Sequence, residues 1–395
     1  MGSSRSAVLI CTFLLLYLPG ATAEFAQGRI ADQLERYGPS QPDSPEREGA
    51  LMDVHYLFMN DTHEPLRGAL NDLISTMLWE ISGSSAGGPK IWYFWNMGYI
   101  LKTGDTVAGF DLSRLELDPL DDEQKRMLGE SLDILFVSHV DKPHIDYDIV
   151  SHMVEGAYVV CPDEIAAESM NPVPGRKATV IGMKAGERRT VGPADIRAYE
   201  GDDRRGSAMR CFLVSVGGVR VLHTGDQHYV SGWMEDLPGG CVGVLMMGPM
   251  EDYSTTLDAI ATVDPAYTVP GGLYDMSHPK DTWSGYDYAY GLRGDTGSRV
   301  IPMFFGEGLQ VRIESGGGVL APVIIAISAA LGIGGALIFR MRGRDRGTGP
   351  KQAAEGQTRC EKRYVKNLCL KCRYYTIKSG RPYCTRYNFQ LKAEE

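Results

Sequence analysis

The sequence predicts an α/β sandwich, two sheets with helices on the outside, between residues 85 and 318 of the 395-residue chain. Two observations carry this. Short apolar runs bounded by Gly and Asp turns mark strands, and stretches of helical spacing fall between the strand groups. An order of several strands followed by a helix then recurs in two halves, which favours sheets covered by helices.

In chain order, Arg5, the apolar run Ala7 to Leu18 and the small residues Ala21-Thr22-Ala23 read as an export signal, so the mature chain is expected to start near Glu24. Cys11 lies within that signal and receives no role. Gly38 to Gly49 is rich in Pro, Ser and charge and reads as a linker or extended arm. Leu66, Ala69, Leu70, Leu73, Ile74, Met77, Leu78 and Ile81 recur at helical spacing, predicting an amphipathic helix over 64–82. Asn60-Asp61-Thr62 is a glycosylation sequon. Ile91 to Phe94, Tyr99 to Lys102 and Val107 to Phe110 are successive strands, with Thr103-Gly104-Asp105 as a turn. Cys211 to Val216 and Val219 to His223 form a hairpin across Gly217-Gly218. Tyr147 to Glu155 and Ser254 to Val263 are helical.

A second apolar segment, Val319 to Phe339, holds 21 residues without charge, long enough to span a bilayer. Arg340, Arg342, Arg344 and Arg346 follow, so the positive-inside bias puts the C-terminus in the cytoplasm and the larger N-terminal part outside. Ala326, Ala330 and Gly334 form a small-residue face that would allow a homodimer through this helix. Residues 340–395 carry 15 Lys+Arg against 5 Asp+Glu, whereas residues 24–339 are left at a net −21. That acidity disfavours nucleic acid or anionic lipid as partners of the outer part and suits a cationic partner. The basic tail suits anionic headgroups, or simply solvation.

Ser138-His139-Val140-Asp141-Lys142-Pro143-His144-Ile145-Asp146 follows the apolar run Ile134 to Val137. Imidazoles and carboxylates at a strand exit are what a metal needs: several donors converging on one point from a rigid support.

Around this stretch the chain resembles the metallo-β-lactamase superfamily, whose motifs occur in order across residues 85–313. Asn96-Met97-Gly98 and Phe110-Asp111 look like the opening hairpins and the first acidic position. Ser138 to His144 looks like the metal-binding loop, Leu222-His223-Thr224-Gly225-Asp226 like the turn that delivers a bridging carboxylate, Val269-Pro270-Gly271-Gly272 like the strand end that carries the last histidine, and Phe305-Gly306-Glu307-Gly308 like the closing hairpin. The resemblance implies a four-layer αβ/βα sandwich and a metal-dependent hydrolase. It also exposes departures. Asp141 stands for the middle histidine of the loop, Pro143 for its aspartate and Gly272 for the last histidine, while Asp203 or Asp202 is nearest to another absent histidine.

The implied ligand set is therefore His139, Asp141, His144, Asp203 and Asp226, with His278 six residues beyond Gly272 able to reach back; His139, His144 and Asp226 would be catalytic. Carboxylate in place of imidazole hardens the site and moves preference from zinc toward iron or manganese, with zinc still open. A second metal loses a ligand at Pro143. His223 and His228 flank Asp226 and read as structural. Trp283, Tyr286, Tyr288 and Tyr290 read as a core or surface aromatic cluster. Cys161, Cys211 and Cys241 leave open one disulfide or buried thiols.

Beyond the basic linker 340–357, Cys360, Cys369, Cys372 and Cys384 sit in a segment too short to bury a core. Thiols in a reducing compartment point to a bound zinc there, with an iron–sulfur cluster open. Tyr374, Tyr375 and Tyr383 interleaved with Lys and Arg suit a protein or nucleic-acid partner. The division expected is thus 1–23 signal, 24–84 arm and amphipathic helix, 85–318 sandwich, 319–339 membrane helix, 340–357 linker and 358–395 four-cysteine module. Two functions compete: an extracellular metal-dependent hydrolase of ester, lactone, amide or phosphoester bonds, and a catalytically decayed ectodomain that binds a ligand as a receptor or sensor.

Overall fold

The computed structural model describes residues 29–30, 32–60, 66–83, 87–113, 120–276, 278–296 and 299–311, together with the backbone of 375–378, 381–384 and 389–390. The export signal, the apolar segment Val319 to Phe339, the basic linker and Cys360, Cys369 and Cys372 lie outside the described residues. Among the described residues no helix is long and apolar enough to cross a membrane.

Among the described residues, thirteen strands build the larger unit: β1 (Lys90–Trp95), β2 (Gly98–Thr103), β3 (Thr106–Phe110), β4 (Ile134–Phe136), β5 (Tyr158–Pro162), β6 (Thr179–Met183), β7 (Arg188–Val191), β8 (Ala194–Glu200), β9 (Arg210–Val216), β10 (Val219–His223), β11 (Val244–Met247), β12 (Tyr267–Pro270) and β13 (Gly308–Gln310). They form a seven-stranded sheet in the order β13-β1-β2-β3-β4-β5-β6 and a six-stranded sheet in the order β12-β11-β10-β9-β8-β7. Each half follows one plan. β1 to β3 are antiparallel and β3 to β6 parallel; β7 to β10 are antiparallel and β10 to β12 parallel.

The apolar runs are long because most strands are covered on both faces. Along β11, Val244 and Met246 enter the core between the sheets, whereas Leu245 and Met247 enter a second cluster on the other face. β9 divides in the same way, with Phe212 and Val214 inward and Cys211 outward. Ala259, Ile260 and Val263 of the helix Tyr253–Val263, with Leu292 of the helix Tyr286–Thr296, cover that outer face. The result is helices, sheet, sheet, helices. Beside the first sheet, the helix Asp122–Ser131 approaches the helix Tyr147–His152 so closely that a Cβ on Gly129 would lie 2.6 Å from the carbonyl oxygen of Ile149.

The stretch Gly38 to Gly49 differs from the extended arm expected of it, because a helix, Pro45–Met59, begins inside it. The Ser44 side chain accepts from the Arg47 amide, Pro45 opens the first turn, and Ala50, Leu51, Val54 and Phe58 are buried. Arg47 has no exposed surface. Its guanidinium donates to both carboxylate oxygens of Glu307, at 2.8 and 2.6 Å, and to the carbonyls of Tyr37 and Pro302, both at 2.9 Å. The helix expected over 64–82 is observed as Arg67–Ser82, residues 61–65 lying outside the described ones; the helix from Tyr147 ends at His152 rather than Glu155. Cys161, Cys211 and Cys241 are free thiols, and burial pushes the Cys161 thiol up to about 12. Tyr286 is a core residue whose hydroxyl donates to the Met303 carbonyl, and the Tyr288 hydroxyl donates to Thr256.

In the smaller unit, β14 (Tyr375–Lys378), β15 (Arg381–Cys384) and β16 (Phe389–Gln390) form an antiparallel meander in which Cys384 pairs with Tyr375.

Candidate metal centre

The exits of β3, β4 and β10 carry the site. Asp111 follows β3 with a positive φ of 44°, Ser138 to Asp146 follow β4, and Thr224 to Asp226 follow β10. The β8–β9 connection brings Asp203 and Arg205, and the Arg210 amide donates to the Ser138 carbonyl at 3.0 Å, tying the two sheets at this edge.

Asp111, wholly buried, organises the inner half. Its Oδ1 accepts from the Ser138 amide at 2.7 Å, and its Oδ2 accepts from the Ser138 hydroxyl at 2.5 Å and from His144 Nδ1 at 2.8 Å. Because the Ser138 proton goes to Asp111, its oxygen is left to accept from His139 Nδ1, 2.9 Å away. One carboxylate thereby fixes both rings with Nδ1 protonated, directly for His144 and through Ser138 for His139. Both Nε2 atoms then face the site. A carboxylate behind each ring is the arrangement that sets tautomer and orientation in histidine metal centres.

His144 Nε2 lies 3.1 Å from Asp226 Oδ2, and His139 Nε2 lies 3.6 Å from the same oxygen and 3.8 Å from Asp141 Oδ2. His139 Nε2 is buried with no hydrogen-bond partner. So is Oδ2 of Asp203, whose Oδ1 accepts from the amides of Arg205 at 2.9 Å and Ser207 at 3.1 Å. Potential ligand atoms of Asp111, His139 and His144, and of His139, Asp141 and Asp203, lie within 4.8 Å of one another. Leaving His139 Nε2 and Asp203 Oδ2 unpaired in a buried place is costly unless something else binds them. A cation fits that need.

Charge follows the same geometry. Burial opposes the charged form of His144, but Asp226 and Asp111 outweigh it and raise the imidazole well above its ordinary value. Burial and the neighbouring His144 push His139 down, toward the neutral form that a metal takes. Burial also works against ionised Asp226, yet His144 and His139 hold it below the usual carboxylate range. Asp111 is likewise lowered, by His223 and His144 against its burial.

The structure brings together His139, His144, Asp141, Asp203 and Asp226. His278 is held elsewhere: its Nδ1 bonds Asp275 at 2.9 Å and its Nε2 lies 2.5 Å from Arg205 Nη2, and Arg205 Nη1 in turn donates to Asp141 Oδ2 at 2.9 Å. Gly272 has no room for a ligand side chain. Its φ is +62°, and a Cβ would lie 2.7 Å from Pro249. His223 is buried with Nε2 3.0 Å from the Met97 carbonyl and 3.6 Å from Asp111, a packing position under the site. Sequence reasoning left three residues out of the candidate set. Asp111 carried a signal, as an acid at the end of a strand; Ser138 and Arg205 carried none beyond adjacency to His139 and Asp203.

No protein-family model and no curated protein matches the sequence. Several solved structures are similar. Igni18, described as a metallo hydrolase from the archaeon Ignicoccus hospitalis, has 17% identity over 57% of this chain and 99% of its own, with a TM-score of 0.47. YhfI, a metallo-β-lactamase fold protein from Bacillus subtilis, has 12% identity over 56% of this chain and 99% of its own, with a TM-score of 0.43. CmlA, a diiron β-hydroxylase from Streptomyces venezuelae, has 14% identity over 57% of this chain and 55% of its own, with a TM-score of 0.44.

Proposed function

We propose that this chain is a metal-dependent hydrolase built on a metallo-β-lactamase-like sandwich, acting outside the cell on an ester, lactone, amide or phosphoester bond. The observation that carries the reading is the convergence of unsatisfied donors: His139 Nε2 and Asp203 Oδ2 are buried without partners beside His144, Asp141 and Asp226. His139, His144 and Asp226 would hold the ion, with Asp141 and Asp203 completing its shell. When bound, the metal supplies a Lewis acid that acidifies water and polarises the bond to be cleaved.

The chain's own residues do the rest. Asp111 and Ser138 keep both Nδ1 protons in place, so neither ring can turn away from the site. Asp226, half-buried between the two imidazoles and ionised, is placed to accept a proton or orient a water at their Nε2 edge. Zinc, iron or manganese each suits two nitrogens with several carboxylate oxygens.

The decayed-receptor reading rests on Gly272 and Pro143, which provide no ligand atoms. Elemental analysis of the purified full chain, with ester, lactone and phosphodiester substrates, separates the two: a stoichiometric metal and turnover lost in His139→Ala support the hydrolase, and a chain that takes up no metal sinks it.

The same proposal extends to the ends of the chain. Val319 to Phe339 would anchor it with the sandwich outside, and Cys360, Cys369, Cys372 and Cys384 would hold a second zinc in the cytoplasm. Joint replacement of Cys369 and Cys372 by Ser should remove one zinc per chain and leave the other.

A further inference from the structure

The donors missing at Pro143 and Gly272 leave this site with a fixed cation of its own. Arg205 grows from the turn that Asp203 ties down through the amides of Arg205 and Ser207. Its guanidinium crosses to Asp141 Oδ2 at 2.9 Å on the β4 loop and to His278 Nε2 at 2.5 Å on the segment after β12. Asp275 takes the Nδ1 proton of His278, so His278 Nε2 is an acceptor, and Arg205 is the donor to it. Only two of the five guanidinium N–H groups are used in these contacts. The side chain is 57% exposed, and the oxygen it holds lies 3.8 Å from His139 Nε2. A forked donor thus stands at the mouth of the centre, one carboxylate away from the inner ligands.

We propose that Arg205 is the second cationic group of this site and that it receives an oxyanion, a carboxylate or phosphate group, carried by the substrate. Three features support this. The residues at Pro143 and Gly272 cannot bind a second metal, and the packing against Pro249 and the φ of Gly272 exclude a simple reversal. The planar guanidinium fork matches a two-oxygen anion. Its present partner, Asp141, is itself a carboxylate, held by Nη1 through one oxygen at 2.9 Å, so the guanidinium already binds an oxyanion by one arm. An entering anion would take the unused N–H groups or displace Asp141, leaving that carboxylate to the metal. Arg205 is accordingly a specificity residue, and neutral substrates of the same reactive group would gain nothing from it.

The inference rests on the hydrolase reading, and the test keeps the two apart. Inorganic phosphate and succinate are titrated calorimetrically into the zinc-loaded full chain, for the wild type, Arg205→Gln and Arg205→Lys, with bound metal measured in each. Arg205→Gln should weaken anion binding about tenfold or more, Arg205→Lys less, with metal content unchanged. The relative affinity of phosphate and succinate identifies which oxyanion is preferred. In parallel, kcat/KM is measured on a pair of esters that differ only by a carboxylate: Arg205→Gln should lose about tenfold on the charged ester and leave the neutral one unchanged. Equal anion binding by wild type and Arg205→Gln, or an equal loss on both esters, overturns the proposal while leaving the hydrolase intact. Anion binding that depends on Arg205 in a chain that hydrolyses none of the ester, lactone, amide and phosphoester substrates overturns the hydrolase and keeps the anion site.

Discussion

The inner and outer halves of the site are built differently. Asp111, Ser138 and His144 are fully buried and joined by bonds of 2.5 to 2.8 Å, every one closing on a single carboxylate. Asp141, Arg205 and His278 at the mouth are joined by side chains that reach solvent, from three separate connections. The inner half is therefore part of the folded core, and its geometry is fixed before any ligand arrives. The outer half can rearrange without disturbing the fold.

The comparison breaks most visibly at Asp111. Asp111→Ala strands the Ser138 amide, the Ser138 hydroxyl and a raised His144, so about 3–5 kcal/mol of stability should be lost, and bound metal with it. Asp141→Asn, at the mouth, should cost under about 1 kcal/mol while still weakening metal binding. Urea unfolding of both variants beside the wild type measures the contrast; equal midpoints would mean that the two halves are not distinct.

A smaller effect is expected at Gly272. Restoring a histidine there should destabilise by roughly 1–2 kcal/mol from the left-handed backbone alone, with the approach to Pro249 adding to it, and metal affinity should not rise. A Gly272→His variant that is as stable as the wild type and binds a second ion would show that the segment after β12 is as adjustable as Arg205.

Proton linkage sharpens the same division. In the metal-free chain the raised His144 contributes stability that is complete below its unfolded value of about 6.5 and is lost as pH rises through its folded value. Asp226, lowered, acts in the opposite sense: its contribution is present above about 3.8 and disappears as pH falls through its folded value. Metal needs the neutral imidazole and so must expel the His144 proton, which makes uptake tighter as pH rises. Competition with a chelator across about pH 5.5 to 8 measures this, and affinity independent of pH would remove His144 from the ligand set.

The smallest effect belongs to Arg205. Arg205→Gln removes an exposed ion pair and should change stability by less than about 1 kcal/mol in urea unfolding, whatever it does to binding.

The sandwich was legible where one signal dominated. The β1–β2–β3 and β9–β10 hairpins stand within one residue of their sequence-based bounds, because short apolar runs and Gly turns agree there. The helix Pro45–Met59 was missed because Pro, Ser and charge outweighed a capping Ser44 and the spacing of Ala50, Leu51, Val54 and Phe58. In the site, residues that would bind through their own side chains stood out by type. Asp111 stood out as an acid at a strand end, but its role in orienting others is visible only once His144 and Ser138 are seen to share it. The bridge from Arg205 to His278 joins positions 73 residues apart, and no local pattern encodes it.

Arg47 and Glu307 are separated by 260 positions, more than the length of the sandwich itself. During synthesis the guanidinium leaves the ribosome long before its counter-charge does. Until Glu307 emerges, the helix that carries Arg47 can seat itself only by burying an unmatched charge, which it will not do. Final closure of the domain is thus a late event with a large loop to order, the kind of contact that slows folding. A chain interrupted before Glu307 would keep the helix Pro45–Met59 undocked, a recognisable mark of incompleteness for any quality-control protease.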